Sequence, residues 1–258
     1  MILAIDIGNT NIVMGCIENE EIMFNERVST NHKATDLEYA IQIKNIFEIH
    51  NIDLALIDGA VMSSVVPSVT ETVQRAVEKL IDCSPLVVGP GVKTGLKIAT
   101  DNPAQLGADL AVDAVAGINY YKAPLIIIDM GTATTISVID ENLAYTGTLI
   151  IPGLRTSLEA LVSGAAQLPK VKLEKPKRVV GKNTSECMSN GIMLYTAAGL
   201  DGCIERIEEE MGQECTVVAT GGLAGLVTPL CRKKIIYDND LLLKGLMEIY
   251  KRNRGAIK

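Results

Sequence analysis

The apolar positions of the chain follow the same course twice. Residues 3–19 read LAIDIGNTNIVMGCIEN, and residues 126–142 read IIIDMGTATTISVIDEN. Each copy opens with an apolar run that ends in Asp-x-Gly and continues into a stretch rich in β-branched residues. That is the pattern of two strands joined by a tight turn. Asp6 aligns with Asp129, Gly8 with Gly131 and Asn19 with Asn142, all at one offset of 123 residues. A third stretch follows in each half, at residues 21–29 and 143–150, so each half is predicted to open with a β-meander. The period is far too long for a solenoid and predicts two similar domains facing each other.

Helical spacing takes over after each meander. Residues 36–50 carry Leu37, Ala40, Ile41, Ile43 and Phe47 on one face, with Thr35 or Asp36 as N-cap. Residues 54–63 predict a buried strand. Pro67 opens a helix that puts Val69, Val73, Val77 and Leu80 on one side, and residues 85–88 a short strand. In the second half, helices are predicted over 154–162, 184–211 and 222–231, strands over 215–220 and 234–237, and a closing helix over 240–253. Residues 99–121 bridge the halves. Mixed sheets flanked by helices make the class α/β, with an N-terminal domain over residues 1–116 and a C-terminal domain over 117–258.

Composition narrows the function. The chain has 258 residues, 48% hydrophobic and 21% charged, which is a globular balance. Lys and Arg number 24 against 31 Asp and Glu, a net charge of −7. Without an excess of cations to displace phosphate counterions, nucleic acid is not an expected partner. Trp is absent and Phe numbers 2, which leaves little for base stacking. No segment approaches the ~18 consecutive apolar residues of a membrane span, so no membrane partner is expected. The opening Met1-Ile2-Leu3-Ala4-Ile5-Asp6 reads as a strand rather than a signal peptide. Cys16, Cys83, Cys187, Cys203, Cys215 and Cys231 form no Cys-x-x-Cys pair, which fits free thiols in a reducing cytoplasm. His32 and His50, the two histidines, lie near the ends of a predicted helix and read as surface or helix-end residues.

Neither common nucleotide fingerprint is present. Gly89-Pro90-Gly91-Val92-Lys93-Thr94 lacks the second Gly before Lys, and no strand leads into Gly-x-Gly-x-x-Gly. The Asp-x-Gly turns offer another way to hold phosphate. In Asp6-Ile7-Gly8-Asn9-Thr10 the carboxylate ends a buried strand, where it suits a metal or its water shell. Gly8 is expected to adopt positive φ and to let phosphate reach the backbone. Asp129-Met130-Gly131-Thr132-Ala133-Thr134-Thr135 repeats the arrangement with more hydroxyls. A third glycine turn, Thr220-Gly221-Gly222, follows a strand and precedes a helix, where N–H groups suit phosphate or ribose. Taken singly, such turns are also ordinary hairpin turns. Two in register with a third favour a nucleotide.

These motifs resemble those of the superfamily of acetate and sugar kinases, heat-shock chaperones and actin. More closely, the chain resembles the type III pantothenate kinases over nearly its whole length. The resemblance rests on Asp6–Thr10 with Gly15, on Ser63-Ser64-Val65-Val66-Pro67 and on Lys93-Thr94-Gly95. It continues through Asp101-Asn102-Pro103, Gly107-Ala108-Asp109, Asp129–Thr134, Pro152-Gly153-Leu154, Leu168-Pro169, Gly181-Lys182-Asn183-Thr184 and Thr220–Ala224. It implies two duplicated ribonuclease-H-like domains with ATP in the cleft between them. It implies phosphorylation of pantothenate to 4'-phosphopantothenate, the first step of coenzyme A biosynthesis, by a cytoplasmic homodimer. The cofactors implied are ATP with Mg²⁺ and a monovalent cation, K⁺ or NH₄⁺.

By the same resemblance, Asp6, Ile7, Gly8, Asn9, Thr10, Asn11, Ile12, Val13 and Thr132 bind ATP. Asp109 is the proton acceptor, and Asp129 binds the monovalent cation. Thr100, Gly107, Ala108, Asp109, Leu110 and Thr184 line the pantothenate site. The residues themselves agree for Asp109, since phosphoryl transfer needs a carboxylate near the attacking hydroxyl and the small Gly107-Ala108 leaves it accessible. Asp129 also reads as a turn former, and Thr184 as a helix cap.

Three positions depart from the family pattern. Leu110 stands where the family has Arg, and Thr100 where it has Tyr. Residues 163–169, Ser-Gly-Ala-Ala-Gln-Leu-Pro, lack the family's positive charges. Loss of an Arg facing a carboxylate costs about 2–5 kcal/mol of affinity unless another cation, such as Arg155 or Lys182, replaces it. The departures leave two alternatives open: a kinase for another small hydroxylated substrate, or a non-catalytic ATP-binding regulator.

Overall fold

The computed structural model of the chain describes residues 1–165 and 167–255, which fall into two compact units. The first unit holds residues 1–96, 101–119 and the chain from Asp240 onward; the second holds residues 97–100 and 120–239. Ala166, within the 163–169 stretch, lies outside the described residues.

The first unit opens with β1 (Ile2–Ile7), β2 (Asn11–Glu18) and β3 (Glu21–Ser29), followed by α1 (Asp36–Ile49), β4 (Gly59–Ser64), α2 (Pro67–Glu78) and β5 (Leu86–Val87). The sheet order is β3-β2-β1-β4-β5, with β1 antiparallel to β2 and parallel to β4. Helices cover both faces of β1, which is why it reads as an unbroken apolar run. On one face Leu3, Ile5 and Ile7 pack with Tyr39, Ile43 and Phe47 of α1 and Val69 and Val73 of α2. On the other, Ala4 packs with Val112 and Val115 of α3 (Ala108–Tyr120) and Leu243 and Leu246 of α7 (Leu241–Asn253). Thr35 caps α1 in a reciprocal box: its hydroxyl accepts the Glu38 N–H at 3.3 Å and its own N–H donates to Glu38 Oε2 at 2.7 Å.

The second unit contains β6 (Lys97–Ile98), β7 (Leu125–Met130), β8 (Ala133–Ile139), β9 (Ala144–Pro152), α4 (Leu154–Gly164), α5 (Thr184–Met211), β10 (Thr216–Thr220), α6 (Ala224–Val227) and β11 (Ile236–Tyr237). Its sheet runs β11-β10-β7-β8-β9-β6. Five of those strands, β9-β8-β7-β10-β11, repeat the order and directions of β3-β2-β1-β4-β5, and β6 adds an edge. The duplicated α/β architecture expected from the repeat is therefore present in the topology.

The repeat is not gapless, however. Asp6 pairs with Val13 whereas Asp129 pairs with Thr135, so the first hairpin loop is one residue longer than the second. The next turn compensates. Asn19 and Glu20 form a two-residue turn with φ of 47° and 73°, the primed geometry that matches strand twist. Its counterpart has three residues, 141–143, with Leu143 at φ 60°. Asp140 Oδ1 supports it by accepting the Asn142 and Ala144 N–H groups at 2.9 and 2.8 Å. Each third strand also bulges by one residue at the same rung, Met23 opposite Cys16/Ile17 and Thr146 opposite Val138/Ile139.

Other differences from the sequence reading have local causes. The strand expected over 54–63 begins only at Gly59. Residues Leu54–Leu56 form a 3₁₀ turn that Asp53 caps by accepting the Ala55 N–H at 3.0 Å. The helix expected over 222–231 is α6 followed by a 3₁₀ turn, Thr228–Leu230; Pro229 has no N–H with which to continue α6. The domain division also differs. α3 belongs to the first unit up to Asn119, and α7, expected in the C-terminal domain, packs its apolar face on the first sheet. Among the described residues, no helix is long and apolar enough to cross a membrane.

Candidate active site

Asp6 occupies the penultimate position of β1 and is only 9% exposed. Its neighbour on the parallel strand β4 is Ser63, whose hydroxyl donates to Asp6 Oδ1 at 2.6 Å. The loop beyond is closed by the Gly8 N–H donating to Asn11 O at 3.0 Å. Gly8 does not take the positive φ expected of it: the left-handed glycines are Gly91, Gly95, Gly212 and Gly221. What Gly8 supplies is clearance, since a Cβ there would lie 3.0 Å from Asn11 O. Asn9, Thr10 and Asn11 are exposed. Ile7 and Ile12, expected in the ATP set, are fully buried in the core, so only their backbone is available to a ligand. Val13 is half-buried.

Asp129 repeats the position of Asp6 on β7, flanked in register by Thr135 of β8 and Thr220 of β10. Side chains directly opposite one another share a face. Gly221 is where left-handed backbone is required, at φ 93°. A Cβ on it would lie 2.6 Å from Asp129 Oδ1 and 2.7 Å from the Met130 N and O. The third glycine turn is thus pressed against the second Asp-x-Gly turn. Thr135 Oγ1 is buried and has no hydrogen-bond partner among the described residues. Thr132 is exposed at the loop tip, and α4 begins against it: a Cβ on Gly153 would overlap the carbonyls of Gly131 and Thr132.

Asp109 sits in the first turn of α3, half-buried with Gly107, Ala108 and Leu110. Burial pushes its carboxyl above the usual carboxylate range; N–H donation from Leu110 (2.8 Å to Oδ1) and from its own backbone partly opposes this. Gly107 makes room for the carboxylate, because a Cβ there would lie 2.5 Å from Asp109 Oδ1. Thr184 is the first residue of α5, but the cap is Asn183, which accepts the Glu186 N–H at 2.9 Å. Thr184 is exposed and has no capping role.

The first unit therefore carries Asp6, its loop and Asp109, while Thr100, Asp129, Thr132 and Thr184 belong to the second. Within the second unit a pocket of about 670 Å³ borders the third glycine turn. Leu158, Val162, Leu223 and Leu226 give it apolar walls, and Arg155 and Lys172 stand among its polar residues. Sequence reasoning missed the part played by Ser63 and Thr135. Both stand in stretches singled out in the sequence, but that they face Asp6 and Asp129 depends on strand pairing that no local pattern shows.

Two like-ordered sheets, each with an Asp-x-Gly turn after its first strand, give the chain the fold of the actin and sugar-kinase superfamily. An archaeal actin homologue of known structure superposes with a TM-score of 0.52 at 11% identity, covering 98% of this chain and 99% of its own. The sequence profile of the type III pantothenate kinases matches residues 2–206. A type III pantothenate kinase from Exiguobacterium sp. is 44% identical over 254 residues, 98% of this chain and 100% of the relative. Another, from Bacillus cytotoxicus, is 45% identical over 253 residues, covering 98% and 97%. The chain belongs to the type III pantothenate kinase family.

Proposed function

We propose that the protein transfers the γ-phosphoryl group of ATP to the primary hydroxyl of pantothenate, giving 4'-phosphopantothenate and ADP. The observation that carries this reading is Asp109, a half-buried carboxyl whose burial raises its affinity for a proton, in a chain matched end to end by pantothenate kinases. The Asp109 carboxylate takes the hydroxyl proton as the acceptor oxygen bonds to phosphorus and the bond to the ADP oxygen breaks. The backbone of residues 6–13, together with Thr132, holds the ATP phosphates. The pocket beside Leu223 takes the adenosine, since an apolar cavity with a few polar groups suits a base and its ribose.

The residues fit the ions that the family implies. Asp6, oriented by Ser63, would hold Mg²⁺ or its water shell. Asp129 would hold a monovalent cation, with the buried Thr135 hydroxyl as a further oxygen ligand. When bound, these cations neutralise phosphate charge. Gly107, Ala108, Leu110, Thr100 and Thr184 line the pantothenate site. Leu110 cannot pair with the substrate carboxylate, and we assign that role to Lys182, two residues before Thr184. The working form is a homodimer of the cytoplasm; sedimentation gives its mass. An ADP-release assay with pantothenate, Mg²⁺ and K⁺, beside a panel of small alcohols, tests the reading. Pantothenate should give the highest kcat/KM. Preference for another alcohol would redirect the substrate, and no release with any alcohol would leave a nucleotide-binding regulator.

A further inference from the structure

Each Asp-x-Gly loop is tied back by a threonine that follows the third strand of its own meander. In the first unit, Thr30 lies one residue beyond β3. Its hydroxyl donates to Gly8 O at 2.6 Å and its N–H to Thr10 O at 2.9 Å. In the second, Thr156 lies in the first turn of α4, just beyond β9. Its hydroxyl donates to Thr132 O at 2.7 Å, and the Gly153 N–H donates to the same carbonyl at 3.1 Å. The two threonines sit on different kinds of structure, an extended segment and a helix, yet each holds a carbonyl of its loop.

A loop that binds phosphate has to present N–H groups and keep its carbonyls away, because a carbonyl oxygen facing phosphate is repelled. A short glycine turn does not secure this by itself, since glycine leaves its flanking peptides free to rotate. In a trans peptide the C=O and the following N–H point to opposite sides. Holding Gly8 O therefore fixes the direction of the Asn9 N–H at the exposed loop tip, and holding Thr132 O does the same for the Ala133 N–H. We infer that Thr30 and Thr156 are positioning residues that lock the carbonyls of both loops away from the nucleotide and so set the affinity for its phosphates. This rests on the kinase reading above.

The test uses Thr30→Val and Thr156→Val, which nearly keep side-chain shape, with Thr30→Ser and Thr156→Ser, which keep the hydroxyl. Each Val change should raise KM for ATP and Kd for ADP about tenfold, the equivalent of one hydrogen bond of ~1.4 kcal/mol. KM for pantothenate and the affinity for adenosine should stay at wild-type values, and the Ser variants should recover ADP binding. Unchanged ADP affinity in both Val variants would overturn the inference while leaving the kinase reading intact. Equal losses in the Val and Ser variants would also overturn it, because the hydroxyl would then not be the cause. Failure of the wild type to bind ADP at all would overturn the kinase reading and the inference together.

Discussion

Ser63 and Asp6 face each other across the parallel pair β4 and β1, joined by a hydrogen bond of 2.6 Å from the hydroxyl to Oδ1. Ser63 is completely buried and Asp6 nearly so. A buried carboxylate that loses a donor becomes more costly to keep charged, by about 1.5–3 kcal/mol for a hydrogen bond to a charged group. Ser63→Ala should lower Tm by roughly 3–12 °C, at about 2–4 °C per kcal/mol in a chain of this size. It should also raise the Mg²⁺ concentration needed for half-maximal turnover. Asp6→Asn should depress Mg²⁺-dependent turnover much more than it depresses Tm. Mg²⁺ titrations beside thermal melts read both quantities.

Asp109 gives a prediction of opposite sign for stability. Its carboxyl is held above the usual carboxylate range by burial, so the folded protein binds that proton more tightly than the unfolded chain does. This preference stabilises the fold below the unfolded value, near pH ~4, and the benefit is lost as pH rises through the higher folded value. At neutral pH the charged Asp109 is a burden that Asn lacks. Asp109→Asn should therefore raise Tm at pH 7, with the gain shrinking towards pH 4, while kcat falls by about 10²–10⁴ and ADP affinity stays unchanged. In the wild type, the acid limb of the kcat profile should lie above the usual Asp range.

The substrate side is tested at Lys182 and Leu110. Lys182→Met should raise KM for pantothenate by at least about tenfold with little effect on KM for ATP, as expected for loss of a charged partner to a carboxylate. Leu110→Arg, alone or with Thr100→Tyr, should lower KM for pantothenate if the pocket admits the guanidinium. A drop in Tm without a gain for pantothenate would mean an unpaired buried charge and a pocket shaped for a different acceptor.

The chemistry proposed around Asp129 is testable through the cation. Turnover should be higher in K⁺ or NH₄⁺ than in Na⁺ or choline, and Thr135→Val should weaken that dependence. Equal rates in all four salts would remove the cation role from Asp129. Gly221→Ala should destabilise the fold, because its φ of 93° disfavours a side chain and the new Cβ would strike Asp129 and Met130.

What could be read from the sequence was what lies close along the chain. Asp6 and Asp129 announce themselves because each ends an apolar strand and precedes a glycine. The meanders, α5 and the start of α2 at Pro67 follow from period and capping alone. What stayed hidden depends on partners distant in sequence. Ser63 meets Asp6 only through parallel pairing, and Thr30 and Thr156 act through loop carbonyls that no side-chain pattern reveals. The return of α7 to the first sheet was illegible for the same reason, since its apolar stripe fits either half. β6, with two residues, is too short to show a period. The resemblance points to Asp109, but its burial and the clearance provided by Gly107 arise only from the packing around the first turn of α3.

The most direct test of the account is to incubate the protein with ATP labelled in its γ-phosphoryl group, pantothenate, Mg²⁺ and K⁺, and to identify the labelled product by mass. Label should appear in 4'-phosphopantothenate in step with ADP release, and Asp109→Asn should slow its appearance by about 10²–10⁴ while still binding ADP. Label that stays in ATP, or passes to inorganic phosphate at the same rate without pantothenate, would contradict the account.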